Sequence, residues 1–409
     1  MSVTIKEAIN LITKELIPLQ TEILPLEEAK GRICTKEIKA SIALPPFDNS
    51  AMDGYALRMD KEAPQKGESF KVIGKILAGE KNNFHLKKTQ AVKIMTGAMI
   101  PPKTDCVIPQ EKTTALDDNF IRLNEDIKLE ANIRKKGEDI NIGDTVISPS
   151  EEIKSSHIAL LASQGITHIS VYKKPKVSVF SSGNELKLHF EKLEKSQIYN
   201  SNTPYFISRA HELGCETSFI GKADDSLDSI TKLISFSLKS DLILTSGGVS
   251  VGEADFTKEA FKKLGFKEIF SKVQIRPGKP TTFGKIGNTL VLNLPGNPLA
   301  GALNFEIFGR IIIEMLRGAK EIHHNFVKTK ISHDYKKKKG PQSVIPGNFN
   351  GESFEVTSKF APGMVNVLNR CNGFIVLSEN TEILKKGDTV KFIPIDWNFK
   401  TEKFKDFAT

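Results

Sequence analysis

The chain has 409 residues, 26% charged and 39% hydrophobic, which excludes a disordered chain and is too long for one ordinary core, so two to four domains are expected. A formal net charge of +9 favours anionic partners. The one dense basic run, Lys336 to Lys339, has no interleaved aromatics and reads as a solvated loop, and with no zinc-finger or RNP-like motif nucleic acid is argued against.

Cys34, Cys106, Cys215 and Cys371 are scattered without a CxxC pair, which fits a reducing cytoplasm better than a disulfide framework or zinc site. At the N-terminus, MSVTIKEAINLI carries Glu7 among its apolar positions and reads as an amphipathic helix, not a signal peptide. Helical patterns in 1–44 and 140–173 are expected to pack as one discontinuous elongated domain. Between them, 45–139 reads as an inserted β-rich domain, with the β-prone runs ESFKVIGKI, QAVKIMTG and DCVIPQE separated by Gly and Pro. Its opening, PPFDNSAMDGYAL, crowds Asp48, Asn49, Ser50 and Asp53 into a turn. An Asx-turn and a substrate contact explain that crowding equally well.

From 174 to 325, short apolar runs alternate with helical patterns, the signature of a doubly wound α/β domain. KVSVF is a strand running into SSGNEL; SNTPYFISRAHELG is a helix with Asn202 or Ser201 as cap and Gly214 as stop; TSFIG is a second strand. Ile230, Leu233, Ile234 and Leu238 recur at helical spacing and lead to a third strand at Leu242. Three loops thus leave C-terminal strand ends, at 181–186, 221–225 and 246–255, and that edge of an open α/β sheet carries the ligand.

The third loop, in DLILTSGGVSVGEADF, has two readings: a tight βα turn with Asp255 as helix cap, or a phosphate cradle with Glu253 and Asp255 holding a divalent cation. No GK[ST] follows and the spacing is not GxGxxG, so neither a Walker loop nor a dinucleotide fingerprint is present. Glu185, Asp224 or Asp225, and Asp255 on these loops, with Lys272, Arg276 and Lys279 in the following segment, are candidates for one site of metal, acid and phosphate-binding groups. A long helix starts at Pro298 and ends at Gly318; its most apolar part, IFGRIIIEML, is too short for a membrane span and is broken by Arg310 and Glu314. The segment 326–409 alternates, as in GFIVL and TVKFIPI, and reads as a C-terminal β domain, barrel-like in kind.

Taken in order, PPFDNSAMDGYAL, IMTGAMIPPKTDCVIPQE, GEDI, SSGNEL, DLILTSGGVSVGEADF, IRPGKPTTFG and LPGNPLAG make nearly the whole chain resemble the molybdopterin molybdenumtransferase family, the MoeA proteins and the related E domain of gephyrin. The resemblance implies a cytoplasmic homodimer of four domains with a MogA-like α/β domain facing a cleft. It also implies an enzyme that inserts molybdate into adenylylated molybdopterin and releases AMP, using Mg²⁺, in the last common step of molybdenum cofactor synthesis. The adenylylating enzyme and molybdoenzyme-maturation proteins are then further partners.

Carried over by motif, Asp53, Thr96 and Asp139 are the first-domain contributions. Glu185, Asp224, Asp225 and Asp255 are the α/β-domain acids, with Glu185, Asp225 and Asp255 on the metal. Lys272, Arg276 and Lys279 are the cations. Ser246, Gly247, Gly248 and Val249, with Pro295, Gly296, Asn297 and Pro298, hold the pterin nucleotide, the amides of 246–249 taking its pyrophosphate. The C-terminal domain departs from the family pattern: Pro346 and Pro362 stand where an arginine and a serine are usual, so the oxyanion contact falls to other cations such as Arg370 or the Lys336–Lys339 run. Two alternatives remain at this point, an adenylyltransferase acting on molybdopterin and a dimeric scaffold for a partner peptide.

Overall fold

A computed structural model describes residues 2–81, 83–247 and 256–397, together with Phe404, Asp406 and Ala408. The chain divides into two compact units: Met1–Thr35, Pro149–Lys154 and His168–Thr409 form the first, Lys36–Ser148 and Ser155–Thr167 the second.

The second unit is built on a six-stranded sheet ordered Cys106–Pro109, Gly54–Arg58, Gln90–Ile94, Ser69–Ile76, Phe120–Leu123, Thr113–Asp117. Because side chains alternate across a strand, neighbours in sequence separate into two cores. Leu57, Ala91 and Ile108 pack with Phe70 on one face, Ala56, Val92 and Val107 with Ile76 on the other. A helix, Ser155–Ser163, follows. The Gln164 side chain just past it accepts from the backbone N–H groups of Ser41 and Ile42, each at 2.9 Å.

The first unit begins with the helix Ile5–Glu15, which buries Ala8 and Ile12. Glu7 does more there than interrupt an apolar pattern: the Thr4 N–H donates to its carboxylate at 2.8 Å while the Thr4 hydroxyl accepts from the Glu7 N–H at 3.2 Å. This reciprocal capping box starts the helix sharply.

The α/β layer has the sheet order Glu216–Ala223, Lys176–Ser182, Leu242–Ser246, Thr289–Leu294, Thr282–Ile286, Lys267–Phe270; the first four pair in parallel, and Thr282–Ile286 runs antiparallel to both its neighbours. Its inner strands are buried on both faces, as LILTS and TLVLNL are along their whole length, which is why they read as apolar runs without alternation. Helices Asn202–Glu212, Leu227–Ser237 and Phe256–Lys263 flank it.

The long helix starts at Pro298 as the sequence indicates, but it is α only to Asn304. A π-turn occupies Phe305–Gly309 before α geometry resumes at Arg310–Leu316. The inserted residue accommodates Glu306, 1% exposed, whose carboxylate takes the Arg209 guanidinium at 2.8 and 3.0 Å. No periodicity announces such a turn. Gly318, at φ +78, closes the helix.

In the C-terminal region, Gln342–Phe349, Ser353–Val356, Val327–Ile331, Thr389–Pro394 and Gly373–Leu377 pair in that order, and the last pairs back to the first, closing a five-stranded barrel. The short strand Ile275–Arg276 adds to its Gln342–Phe349 edge in parallel, so one barrel strand is tied directly to the segment that carries Arg276 and Lys279. Among the described residues, no helix is long and apolar enough to cross a membrane.

Candidate active site

Within the first unit the strand order reverses between Lys176–Ser182 and Leu242–Ser246, and a cleft of about 1310 Å³ opens at the C-terminal ends of these strands. That is where an open α/β sheet leaves room for a ligand. Its lining includes Glu185, Ser246, Gly247 and the loop Pro295, Gly296, Asn297, Pro298 from the α/β layer, and Arg276, Lys279, Pro341, Pro362 and Glu379 from the linking segment and the barrel. Lys272, Asp224 and Asp225 are not among the lining residues.

The glycine loop leaves its strand under tight constraint. Gly247 has φ +99, and a Cβ on it would stand 2.8 Å from the Ser182 carbonyl oxygen, so only glycine fits. Its N–H reaches the Leu294 carbonyl at 3.4 Å, and Ser246 sits in the ladder between Ser181 and Leu294. The first two members of the expected amide cradle are therefore used by the sheet. Gly248, Val249, Glu253 and Asp255 lie outside the described residues.

Two asparagines brace this edge, Asn202, expected only as a helix cap, and Asn200, not singled out in the sequence. Asn202 Nδ2 donates to Ser246 Oγ at 2.6 Å and to the Gly296 carbonyl at 2.8 Å, tying the strand end to the PGNP loop. Asn200 Nδ2 donates to Ser181 Oγ at 2.8 Å, while its Oδ1 accepts the Thr203 N–H at 3.1 Å. Ser201 occupies the cap position as expected, but its side chain makes no capping bond; the side-chain bond to the helix start comes from Asn200. The pattern N-S-N-T ahead of a helix was the available signal, but propensity cannot say which asparagine turns inward.

A third asparagine shapes the cationic loop. Asn304, fully buried, donates from Nδ2 to the Pro277 carbonyl at 3.1 Å and accepts from Thr281 Oγ1 at 2.9 Å. Gly278, at φ +108, packs so closely that a Cβ would lie 1.8 Å from Asn304 Nδ2. The turn holds Lys279 exposed at the cleft, its own carbonyl accepting from the Val273 N–H at 2.8 Å. The Arg276 guanidinium rests on the barrel, donating to the carbonyls of Lys338 and Lys339, both at 3.4 Å. Lys272 lies in a short strand beside Ser2.

Among the acids, Glu185 lines the cleft, and the residue before it, Asn184, exchanges two hydrogen bonds with Asp225: Asn184 N–H to Asp225 Oδ2 at 3.2 Å and Asp225 N–H to Asn184 Oδ1 at 3.0 Å. Asp224 instead pairs with Lys222 at 3.3 Å. No group of three or more His, Cys, Asp or Glu side chains converges among the described residues. Thr245 Oγ1 and Asn293 Oδ1, opposite one another in register one residue below the strand ends, are buried with no hydrogen-bond partner. Unsatisfied buried oxygens cost about 1–3 kcal/mol each. Neither atom lines the cleft; the cleft itself offers the carboxylates of Glu185 and Glu379, hard oxygen donors of the kind Mg²⁺ takes, and Mg²⁺ needs only one or two protein carboxylates when a phosphate completes its shell.

In the second unit, the crowded turn resolves residue by residue. Asp48 Oδ1 accepts the Lys136 N–H at 2.8 Å and Ser50 Oγ donates to the Met52 carbonyl at 2.6 Å, both local structure. Asp53 is different: one of its oxygens accepts both the backbone N–H and the hydroxyl of Thr96, at 2.7 and 2.8 Å. Those bonds, the backbone one first, hold the exposed carboxylate below its ordinary range. Asp139 is exposed, its N–H closing on the Leu44 carbonyl at 2.9 Å.

The barrel revises the reading of its basic and proline residues. Lys337 is no solvated surface charge: it is 4% exposed, its ammonium donating to the Ser378 carbonyl at 2.7 Å and to those of Gly340, Pro341 and Glu379 at 3.4 Å. Arg370 donates to the Lys359 carbonyl at 3.3 Å and is not part of the cleft lining. Pro346 lies inside a barrel strand opposite Phe374; Pro341 and Pro362 are the prolines at the cleft. Though Pro362 has no N–H to give, its carbonyl accepts the N–H groups of Leu299 at 2.9 Å and Ala300 at 3.3 Å. Burial pushes the thiols of Cys106 and Cys215 up to about 12 and that of Cys371 to about 11, so none is poised as a thiolate.

Three family models match the chain in succession. The MoeA N-terminal region (domain I and II) covers residues 3–165, the probable molybdopterin binding domain 178–315, and the MoeA C-terminal region (domain IV) 328–395. A Haemophilus influenzae protein named molybdopterin molybdenumtransferase is 37% identical over 405 residues, 96% of this chain and 98% of that protein. One of the same name from Staphylococcus epidermidis is 31% identical over 414 residues, 97% and 96% of the two chains. The solved structure of a molybdopterin biosynthesis MoeA protein from Pyrococcus horikoshii is 29% identical, with a TM-score of 0.80 over 98% of this chain and all of that one.

Proposed function

The chain belongs to the molybdopterin molybdenumtransferase family, and from that premise we propose that it inserts molybdate into adenylylated molybdopterin with release of AMP. The observation that carries this reading is the cleft itself. An acid on a βα loop, Glu185, and two cations on the linking segment, Arg276 and Lys279, border one cavity of about 1310 Å³, large enough for a nucleotide-sized ligand.

In this reading Lys279 and Arg276 bind the phosphates and the incoming oxyanion, and stabilise the negative charge that grows on the departing AMP. Asn202 and Asn304 act indirectly, fixing the strand end and the cationic turn so that little reorganisation accompanies reaction. Glu185 and Asp225, with Asp255, would hold Mg²⁺, which supplies neutralising charge next to the phosphoanhydride. Asp53 and Thr96, joined by two hydrogen bonds, present a carboxylate kept ionised for a substrate or metal contact, and Asp139 is assigned with them.

We also propose a cytoplasmic homodimer in which the four parts 1–44 with 140–173, 45–139, 174–325 and 326–409 behave as domains. Ile17 and Ile23, 79% and 74% exposed, are apolar surface that a second copy would cover. The adenylylating enzyme and cofactor-maturation proteins are the partners that hand over substrate and take product. To test the function, the purified protein is given adenylylated molybdopterin, Mg²⁺ and molybdate, and the product is used to reconstitute a cofactor-free molybdoenzyme. Activity restored only when all components are present is expected; failure to restore it under conditions where a family relative succeeds would sink the reading.

A further inference from the structure

A second cavity, about 360 Å³, lies in the first unit away from the cleft and shares none of its lining residues. Its lining carries six cations against three carboxylates, a formal excess of +3. The carboxylates are already engaged by arginines: Glu314 accepts from Arg317 Nη1 at 2.8 Å, Glu152 lies 3.4 Å from Arg317 Nη2, and Glu212 pairs with Arg209. Arg32 is engaged too, by Glu22 and by the Tyr172 carbonyl at 2.6 Å.

Among the described residues, the rest of the positive charge has no direct ion pair, although Arg310 acts at longer range on the Glu314 carboxylate. Lys30, Lys174 and Arg310 have no carboxylate within 4.0 Å among the described residues, and the Lys173 ammonium is held only by the neutral Gln20 Oε1, at 3.2 Å. At one side Arg317 is 8% exposed, fixed by its NH groups to Glu314 and to the Gly31 carbonyl at 2.7 Å. Gly214, at φ +82, offers no side chain over its Nε, which a Cβ would approach to 3.6 Å. Like charges gathered around a concave, partly desolvated space repel one another, and an anion there would be held by charge-assisted hydrogen bonds of the stronger kind.

We propose that this cavity is a second anion site, built for a phosphate-type group, either free phosphate or the phosphoryl group of a small phosphomonoester. Its volume is at the lower end for small-molecule cavities, room for a phosphoryl group with a small organic substituent or with water beside the free ion. Guanidinium from Arg310 and ammonium from Lys174 and Lys30 are its binding groups, with the immobilised Arg317 as its rigid edge.

The test is equilibrium dialysis of the full chain with labelled inorganic phosphate, using three variants. Lys174→Gln, at an exposed position, leaves folding undisturbed and is expected to weaken binding several-fold. Lys174→Gln with Arg310→Gln is expected to weaken it by about tenfold or more, with an unchanged melting temperature as the folding control. Lys279→Gln, in the cleft, is expected to leave this phosphate in place. In the Lys279→Gln background, AMP competition that is lost when Lys174→Gln is added identifies a phosphomonoester as the ligand; phosphate binding without such competition identifies the free ion, and either supports the site. No saturable phosphate binding at millimolar concentration, or equal binding by wild type and both Lys174 variants, overturns it. Neither outcome depends on whether the cleft transfers molybdenum.

Discussion

Gly278 and Asn304 fix the turn that brings Lys279 to the cleft, and the constraint is unusually local. A Cβ at 278 would fall 1.8 Å from a side chain that is itself fully buried and bonded to Pro277 and Thr281. The φ of +108 adds strain for any L-residue. Gly278→Ala is therefore expected to cost about 1–3 kcal/mol of stability and to lower turnover by at least about tenfold, because the loop must shift to accept the methyl group. Denaturant unfolding and AMP-release kinetics check both; a variant with unchanged turnover would show that the turn's position does not matter. The glycine and the lysine of IRPGKP were visible in the sequence as a motif. Asn304 was not, because it lies 25 positions further on, inside a helix, and only the fold carries it back.

At the scale of elements, the basic run 336–339 shows how a charge pattern misleads. Lys336 is exposed on a short strand, whereas Lys337 turns inward and joins the loops at 337–341 and 378–379 through backbone carbonyls. Those loops supply Pro341 and Glu379 to the cleft and the carbonyls on which Arg276 rests. Lys337→Met leaves those carbonyls without a donor and is expected to destabilise the protein by about 1–3 kcal/mol and to raise the KM for oxyanion more than it lowers kcat. Lys336→Met should do neither, and equal effects of the two variants would refute the assignment. Four consecutive lysines give no sequence signal for which one is buried, since a buried ammonium is recognised only by what surrounds it.

The π-turn makes a second element-scale case. It places the Ile307 carbonyl 3.4 Å from a ring nitrogen of His324. Desolvation, reinforced by the nearby Arg310 cation, pushes the His324 pKa below its ordinary 6.5. The unfolded chain therefore binds a proton at pH values where the folded one does not, so this contribution to stability is whole above about pH 6.5 and is lost as pH falls below it. His324→Phe is expected to flatten the fall in melting temperature between neutral and mildly acidic pH. An unaltered slope would assign that fall to other groups.

Across the whole molecule, the parallel α/β layer was legible because its inner strands are apolar on both faces and its loops carry glycine. The cleft followed from strand order alone, the reversal between Lys176–Ser182 and Leu242–Ser246. Less was legible in the barrel, where Pro346 fits a closed strand and Pro362 caps the start of a distant helix through its carbonyl. Linear alignment treats both as lost donors, but the fold employs one as an acceptor. The charges of Arg276 and Lys279 remain at the cleft, and the central claim is that they serve molybdenum transfer coupled to cleavage of the nucleotide. Its most direct measurement is the amount of AMP released per molybdenum incorporated, with and without molybdate. The account predicts one AMP per molybdenum and strong dependence on molybdate, sharply reduced in Lys279→Gln. AMP release at the same rate without molybdate, or molybdenum incorporation without AMP, would contradict it.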